Sequence, residues 1–150
     1  MSNGKLSAAL TDQVSRSGIK QLIKKYNASK NSDKETLALL IEQISKTPLF
    51  FAVKKSESKG EMQFFTLSTG GQVFIPIFTA PEELGKLADS AETVCLAPAD
   101  YFPMLAEGRH AVINPFGEYF LIWPELVRDH MLPYIQDVQA LKDGEMKPLS

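Results

Sequence analysis

Cysteine and histidine are scarce in this chain of 150 residues, and their scarcity excludes several kinds of site. There is one cysteine, Cys95, and there are two histidines, His110 and His130. A single thiol cannot form an internal disulfide bond, so nothing indicates an oxidising compartment. A zinc site needs three or four ligands at short, regular spacings, which these residues do not provide. We therefore expect no disulfide framework, no metal centre and no other cofactor.

Long apolar runs are also missing. No run approaches the roughly 20 residues that are needed to cross a bilayer. The apolar stretch at residues 6–10 ends at Thr11, before the hydrophobic region of a signal peptide could form. We therefore expect a cytoplasmic protein without a membrane span.

Recognisable catalytic motifs are missing as well. The glycine pair at residues 70–71 lacks the Lys-Ser/Thr and the following helix of a phosphate-binding loop, and no serine lies in a nucleophile elbow. The carboxylates at residues 82–83 are better explained as an acidic first helical turn, which the helix dipole favours. We interpret Cys95 as a buried strand thiol, with a Cys95–His110 couple as the alternative. No catalytic residue is assigned, and the sequence argues against an enzyme.

What the chain does have is an uneven distribution of charge. The formal net charge is −2, yet residues 1–60 carry 11 basic and 5 acidic side chains, while residues 61–150 carry 5 and 13. We expect a basic face on the first helix either to dock on the acidic body or to bind an anionic surface. One neighbouring aromatic, Tyr26, is too few for base stacking, which argues against nucleic acid as a partner. The candidate basic face comprises Arg16, Lys20, Lys24 and Lys25.

The hydrophobic period changes along the chain and predicts the order α-α-β-β-β-α-β-α-β-β-α. This order indicates an α+β fold, with a mixed, largely antiparallel sheet flanked by helices and with an N-terminal helical extension. We divide the chain into a tail and basic helix at residues 1–32, an α+β domain at 33–140 and a C-terminal tail at 141–150. The predicted strands are residues 49–53, 62–67, 72–78, 92–96, 110–113 and 119–123, and the predicted helices are residues 16–26, 32–47, 79–87, 98–106 and 124–138.

The ends of several elements are predicted from capping chemistry. Residues 1–15 are small and polar, so we expect them to be frayed. Ser32 followed by Glu35 forms a capping box for the second helix. Thr79 is positioned to cap the third helix through its hydroxyl, with Glu82 as the carboxylate three residues later.

Prolines and glycines predict the turns. The glycine pair at residues 70–71 supplies positive φ angles for a tight reversal between two strands of an antiparallel meander. Pro76 has no backbone donor, so we expect its strand to be exposed at an edge there or to be bulged. Pro103 predicts a break in its helix. In the turn at residues 114–117, we expect Gly117 to adopt the positive φ.

Aromatic residues are concentrated in the predicted strands, and adjacent pairs such as Phe50-Phe51 and Phe64-Phe65 must point to opposite faces of the sheet. A sheet with aromatic residues on both faces either is covered on both or keeps one apolar face for a partner. This pattern is the strongest functional indication that comes from the residues alone.

Three segments carry a resemblance to a known family. They are residues 47–53 (TPLFFAV), residues 73–84 (VFIPIFTAPEEL) and residues 111–117 (AVINPFG). Together they resemble the SseB N-terminal-domain family of bacterial proteins, which is named for enhanced serine sensitivity, over residues 47–126. The resemblance implies an α+β domain and provides no catalytic residues to carry over.

The two turn segments also suggest a candidate binding patch. If the loops at Thr79 and Asn114 lie together at one end of the sheet, they could form a polar patch with Arg109 nearby, although strand-end and turn chemistry explains both motifs as well. We expect a non-enzymatic protein-interaction or regulatory module with an unknown protein partner and with self-association as a further possibility. The alternative is a small-molecule-binding domain or an enzyme of unrecognised type.

Overall fold

A computed structural model describes residues 3–54 and 63–133, with side chains described from residue 11 onward. No helix among these residues is both long and apolar enough to cross a bilayer. Along the chain the elements are α1 (Asn3–Ala28), α2 (Lys34–Lys46), β1 (Leu49–Lys54), β2 (Leu67–Thr69), β3 (Gln72–Phe78), a 3₁₀ helix (Pro81–Leu87), β4 (Ala91–Leu96), α3 (Pro98–Ala106), β5 (His110–Ile113), β6 (Phe120–Ile122), α4 (Pro124–Leu126) and a π-helical segment (Val127–Met131).

The first helix is longer than predicted. It begins at Asn3, so the prediction that residues 1–15 are frayed is wrong from residue 3 onward. The reason lies in composition, because residues 5–17 contain neither glycine nor proline and nothing interrupts the helix. Ile19 and Ile23 of α1 are fully buried in the main core.

The cap of α2 lies one residue later than predicted. The Asp33 carboxylate accepts hydrogen bonds from the backbone N–H of Thr36 at 3.1 Å and from the Thr36 hydroxyl at 2.7 Å. The Ser32 hydroxyl instead donates to the carbonyl of Ser29 at 2.6 Å, in the turn that precedes the helix. The predicted Ser32–Glu35 capping box is therefore wrong, because the preceding turn uses the serine.

The sheet confirms the predicted α+β class. Its five-strand path has the order β4-β1-β3-β5-β6, with β2 paired to β3 beside it. All of the strand pairs are antiparallel except β3–β5, so the sheet is mixed and largely antiparallel. The glycines at residues 70–71 both have positive φ and join β2 to β3 in a two-residue hairpin, as predicted.

The middle strand of the predicted meander is interrupted. The prediction placed it at residues 62–67, of which residue 62 lies outside the described residues. The structure has an isolated bridge between Val53 and Phe64, and then the short strand β2. Where this strand is missing, β1 pairs directly with the end of β3, with Phe51 opposite Ile77.

Pro76 lies inside the sheet and not at its edge. It is buried, and it pairs with Val112 of β5 in a central strand. The carbonyl of Ile77 accepts a hydrogen bond from Asn114 on the β5 side, so Pro76, one residue earlier, directs its backbone nitrogen to the other side. The pairing on that side changes there from β2 to β1, and the missing donor falls at this change of partner. The prediction of an exposed edge is therefore wrong.

The two sheet faces are covered unequally. The main core lies on the first face, where side chains of β1, β3, β5 and β6 pack with those of α1, α2, α3 and the C-terminal helical segments. A smaller cluster on the second face is covered by the 3₁₀ helix and includes Ala52, Phe78, Leu84 and Ala91. Residues 3–54 and 63–133 therefore cover the second face only in part.

The later elements correct three further predictions. The segment after Thr79 is a 3₁₀ helix with a kink at Gly85 (φ 54°), and Thr79 does not cap it. α3 continues through the exposed Pro103 without a break. Gly117 does not take a positive φ, whereas Asn114 has a φ of 51°. The predicted last helix begins at Pro124, and its residues 134–138 lie outside the described residues.

Candidate functional site

The ends of β3 and β5 meet, as the two turn segments suggested. The Asn114 backbone N–H donates to the Ile77 carbonyl at 2.7 Å. The Asn114 side chain accepts from the Thr79 backbone N–H at 3.0 Å and donates to the Thr79 hydroxyl at 2.9 Å. Because β3 and β5 run in parallel, their carboxyl ends lie side by side and bring these two residues together.

This junction is buried, with Thr79 3% exposed and Asn114 1% exposed. The polar atoms of the two side chains are turned toward each other and not toward solvent, so the pair ties the β3 end to the β5 end. Asn114 suits this position because its short polar side chain tolerates a left-handed backbone better than most residues do. The arrangement has the geometry of a structural clamp.

Arg109 does not join this junction. It precedes β5, whereas Asn114 follows it, so the two residues lie at opposite ends of the strand, about 16 Å apart at ~3.3 Å per residue. Arg109 is exposed. The structure therefore brings together two of the three residues of the candidate binding patch.

Only two of the four residues of the candidate basic face contact the rest of the domain. Arg16 donates to the Pro48 carbonyl at 3.3 Å, and its guanidinium lies 4.8 Å from the centre of the Phe50 ring. Lys20 forms a salt bridge with Glu83 of the 3₁₀ helix. Arg16 and Lys20 therefore contact the body, whereas Lys24 and Lys25 are exposed.

A polar cleft of about 410 Å³ lies where α1 passes the start of the 3₁₀ helix. One side is formed by α1 side chains at helical spacing, including Arg16 and Lys20, and the other by Glu82 and Glu83. Both cations already have partners on the body, which reduces what they can offer a ligand.

The single cysteine differs from its prediction. Cys95 lies on the edge strand β4, opposite Phe50, and it is exposed, so the prediction of a buried thiol is wrong. The 3₁₀ helix covers the second face only in part and leaves this position open. Partial shielding from water raises the pKa of the Cys95 thiol above its ordinary value, more than the nearby Arg16 lowers it.

The histidines do not complete a catalytic arrangement with Cys95. His110 lies on β5, three strands from β4, which is roughly 14 Å or more at ~4.8 Å per strand. The ring of His110 packs edge-on against Phe74 at 5.8 Å, and His130 is exposed on the π-helical segment. Within residues 3–54 and 63–133, no cluster of three or more His, Cys, Asp or Glu side chains could hold a metal ion.

The uncovered part of the second sheet face forms a groove that the residue-level predictions missed. Leu67 on β2 lies opposite Phe74 on β3. Val112 on β5 lies between Pro76 of β3 and Leu121 of β6. Residues opposite each other in neighbouring strands share a face, and these five residues lie on the second face. The groove, which we call the β6 groove, has a volume of about 390 Å³. Its apolar walls are formed by Leu67, Phe74, Val112, Pro115, Tyr119 and Leu121.

The β6 groove stands out because its outer wall is apolar and exposed. Tyr119 is 53% exposed and Leu121 is 41% exposed, whereas Phe120 between them is 4% exposed in the core. β6 is an edge strand, paired on one side to β5. The signal was present in the sequence, since apolar residues on both sides of Phe120 break the polar alternation of a solvated strand face.

Comparison with known proteins agrees with the three resembling segments. The model of the SseB protein N-terminal domain matches residues 20–129, which is more than two thirds of the chain. No curated protein and no solved structure matches the chain. The matched range contains the last third of α1 and every strand of the sheet. The chain therefore belongs to the SseB N-terminal domain family.

Proposed function

We propose that this domain is a non-enzymatic, cytoplasmic protein-interaction module that binds a partner protein through the β6 groove. The observation that carries the proposal is the exposed apolar wall at Tyr119 and Leu121 on an edge strand. A contiguous exposed apolar surface of this kind is typical of interaction sites in proteins. Covering a leucine side chain fully contributes about 1.5–3 kcal/mol, so even this small wall supplies useful binding energy.

The contrast within the second face supports the same proposal. Over β1 and the end of β3, the 3₁₀ helix covers the sheet, and its Leu84 is only 2% exposed. Over β5 and β6, no described residue covers Leu121 in the same way. The described residues therefore cover one half of this face and leave the other half open to a partner.

The polar sites support an enzymatic function less than the β6 groove supports protein binding. The Thr79 and Asn114 side chains are bonded to each other, and the raised pKa of Cys95 disfavours the thiolate that a nucleophile needs. The acid–base partner that Cys95 would require, His110, lies strands away.

Affinity capture with matched variants tests the proposal. Full-length wild-type chain, Leu121→Glu and Leu39→Glu would each be used as bait in cytoplasm from the native organism. Leu39 is 48% exposed on α2, outside the β6 groove, so it controls for an added charge at an exposed leucine. We expect a partner that wild type and Leu39→Glu retain and that Leu121→Glu loses. Equal retention by all three baits would overturn the proposal.

A second candidate function is small-molecule binding in the polar cleft beside Arg16 and Lys20. The observation that favours it is the convergence of two cations and two carboxylates around about 410 Å³. A thermal-shift screen of small anions and zwitterions, run on wild type and on Arg16→Gln, tests it. A stabilising ligand that loses its effect in Arg16→Gln would support this function, and no stabilising ligand would exclude it.

A further inference from the structure

A second apolar groove lies between α2 and the C-terminal helical segments, on the helices that cover the main core. We call it the α2 groove, and its volume is about 630 Å³. Leu37, Ala38 and Ile41 line it from α2, at the spacing of one helix face. Trp123 and Leu126 line it from the other side.

The floor of the α2 groove is apolar but incompletely covered. Leu37 and Ile41 are only half-buried, in contrast to Leu40 and Ile44 on the core side of the same helix, which are fully buried. Trp123 is 44% exposed. A groove lined by one helix face and an exposed tryptophan has the shape that accepts the apolar side of another helix.

The rim of the α2 groove carries charge, and the two sides differ in sign. Glu125 and Asp129 lie four residues apart on the C-terminal side, so they form one acidic edge. Lys34 lies on the α2 side. Among the described residues, the one ion pair of this acidic edge is a contact between Glu125 and Arg128 at 3.7 Å, with both side chains largely exposed. The carboxylates are therefore available to a basic partner.

From this complementarity we propose that the α2 groove binds an amphipathic helix of a partner protein, with an apolar stripe in the groove and Lys or Arg along the flank that faces Glu125 and Asp129. Such a helix would match both the apolar floor and the acidic edge. The proposal does not depend on the β6 groove, which is lined by different residues.

A second copy of this chain fits the groove less well. The exposed side chains of α1 between residues 11 and 28 are polar or small, apart from Val14, so this helix has no apolar stripe to insert. Two of its exposed lysines, Lys24 and Lys25, would meet the acidic edge without filling the groove.

A displayed library of helical peptides tests the proposal without knowledge of the partner. Each peptide would carry leucines at positions i, i+3, i+4 and i+7, and the flanking positions would vary among Lys, Glu and Gln. The full-length chain would be the target, with Ile41→Glu as the groove variant and Leu39→Glu, on the same helix but outside the groove, as the control. We expect peptides with a Lys-rich flank to be enriched at least tenfold on wild type and on Leu39→Glu, and not on Ile41→Glu.

A charge reversal separates this specific mode from general stickiness. With Glu125→Lys/Asp129→Lys as the target, the flank of the enriched peptides should change from Lys-rich to Glu-rich. The control target, Glu92→Lys/Glu107→Lys, changes two exposed carboxylates outside the groove and should still select Lys-rich peptides. If no peptide is enriched on wild type, the proposal is wrong. That result would also be expected if residues 134–150 of the chain occupied the groove. The proposal is also overturned by an unchanged Lys preference after reversal, or by equal enrichment on Ile41→Glu.

Discussion

At the scale of single residues, Asn114 carries the most structural information. One side chain and one backbone N–H join the ends of β3 and β5 through three hydrogen bonds, and they do so at a φ of 51°. The sequence could place Thr79 and Asn114 near each other, because both follow predicted strands. It could not show that the two side chains would be buried and bonded to each other, because that depends on β3 and β5 being parallel neighbours.

Replacing Asn114 with alanine should therefore destabilise the fold. Asn114→Ala leaves the buried Thr79 backbone N–H without its partner and places an ordinary residue in the left-handed region. Together these costs are about 3 kcal/mol. Urea denaturation measures the change in unfolding free energy. Asn114→Gly loses the same side-chain hydrogen bonds but tolerates the left-handed backbone, so it should destabilise the fold less than Asn114→Ala. A loss below about 0.5 kcal/mol for Asn114→Ala would contradict the clamp.

Cys95 provides a second test at the residue scale. The thiol is exposed, yet its pKa is raised above the ordinary value of 9.0 because it is partly shielded from water. Since the thiolate is the reactive form, alkylation by iodoacetamide at pH 8 should be slower for the folded chain than for the chain in urea, and the rate should keep rising above pH 9.0. Cys95 is the single cysteine, so mass spectrometry reads it without ambiguity. A rate that levels off below pH 8 would indicate an activated thiolate and would revive the enzymatic alternative.

At the scale of secondary-structure elements, four of the six strands were predicted well, whereas the strand before the glycine turn and the neighbours of Pro76 were not. Short apolar runs rich in β-forming residues identified β1, β3, β4 and β5 nearly to their ends, because such composition is a local property. The burial of Pro76 was not predictable locally, since it depends on where β2 ends and β1 takes over as the neighbour. The prediction that Ser32 caps α2 was wrong for a similar reason, because the Ser32 hydroxyl already donates a hydrogen bond within the preceding turn.

The cap of α2 predicts a specific dependence of stability on pH. Hydrogen bonds from Thr36 lower the pKa of Asp33 below its ordinary value of 3.8, so folding favours the carboxylate. The stability that the carboxylate contributes is therefore fully present above pH 3.8, and it is lost as the pH falls through the lower pKa of the folded state.

Asp33→Asn isolates this contribution, because the amide oxygen can still cap the helix but cannot titrate. The difference in unfolding free energy between wild type and Asp33→Asn should be constant from pH 7 to about pH 5 and should shrink below pH 3.8. Urea titrations at each pH measure it. A difference that grows in wild type's favour as the pH falls would contradict the hydrogen bonds at this cap.

At the scale of the whole molecule, the uneven charge acquires a structural meaning. The basic N-terminal part and the acidic later part touch at the Lys20–Glu83 salt bridge, and Arg16 contacts the start of β1 through Pro48 and Phe50. An exposed ion pair of this kind contributes only about 0.2–1 kcal/mol, so charge alone does not hold α1 in place. The apolar contacts of Ile19 and Ile23 hold it more strongly.

Truncating Ile23 tests whether α1 is an integral part of the domain. Ile23 is fully buried, so Ile23→Ala should cost about 2–5 kcal/mol through lost apolar contact and the cavity that remains. Val14→Ala is the matched control on the same helix, and because Val14 is 70% exposed it should change stability by less than about 0.5 kcal/mol. Thermal or urea unfolding measures both. Equal small effects would mean that α1 is dispensable for the stability of the body.

The affinity of the captured partner tests whether the uncovered half of the second sheet face binds a partner protein. Isothermal titration would compare the dissociation constants of wild type, Leu121→Glu and Leu39→Glu for that partner. Because burying a leucine is worth about 1.5–3 kcal/mol, we predict binding at least about tenfold weaker for Leu121→Glu and within about twofold of wild type for Leu39→Glu. Equal affinities for wild type and Leu121→Glu, with both folded, would contradict binding through the β6 groove.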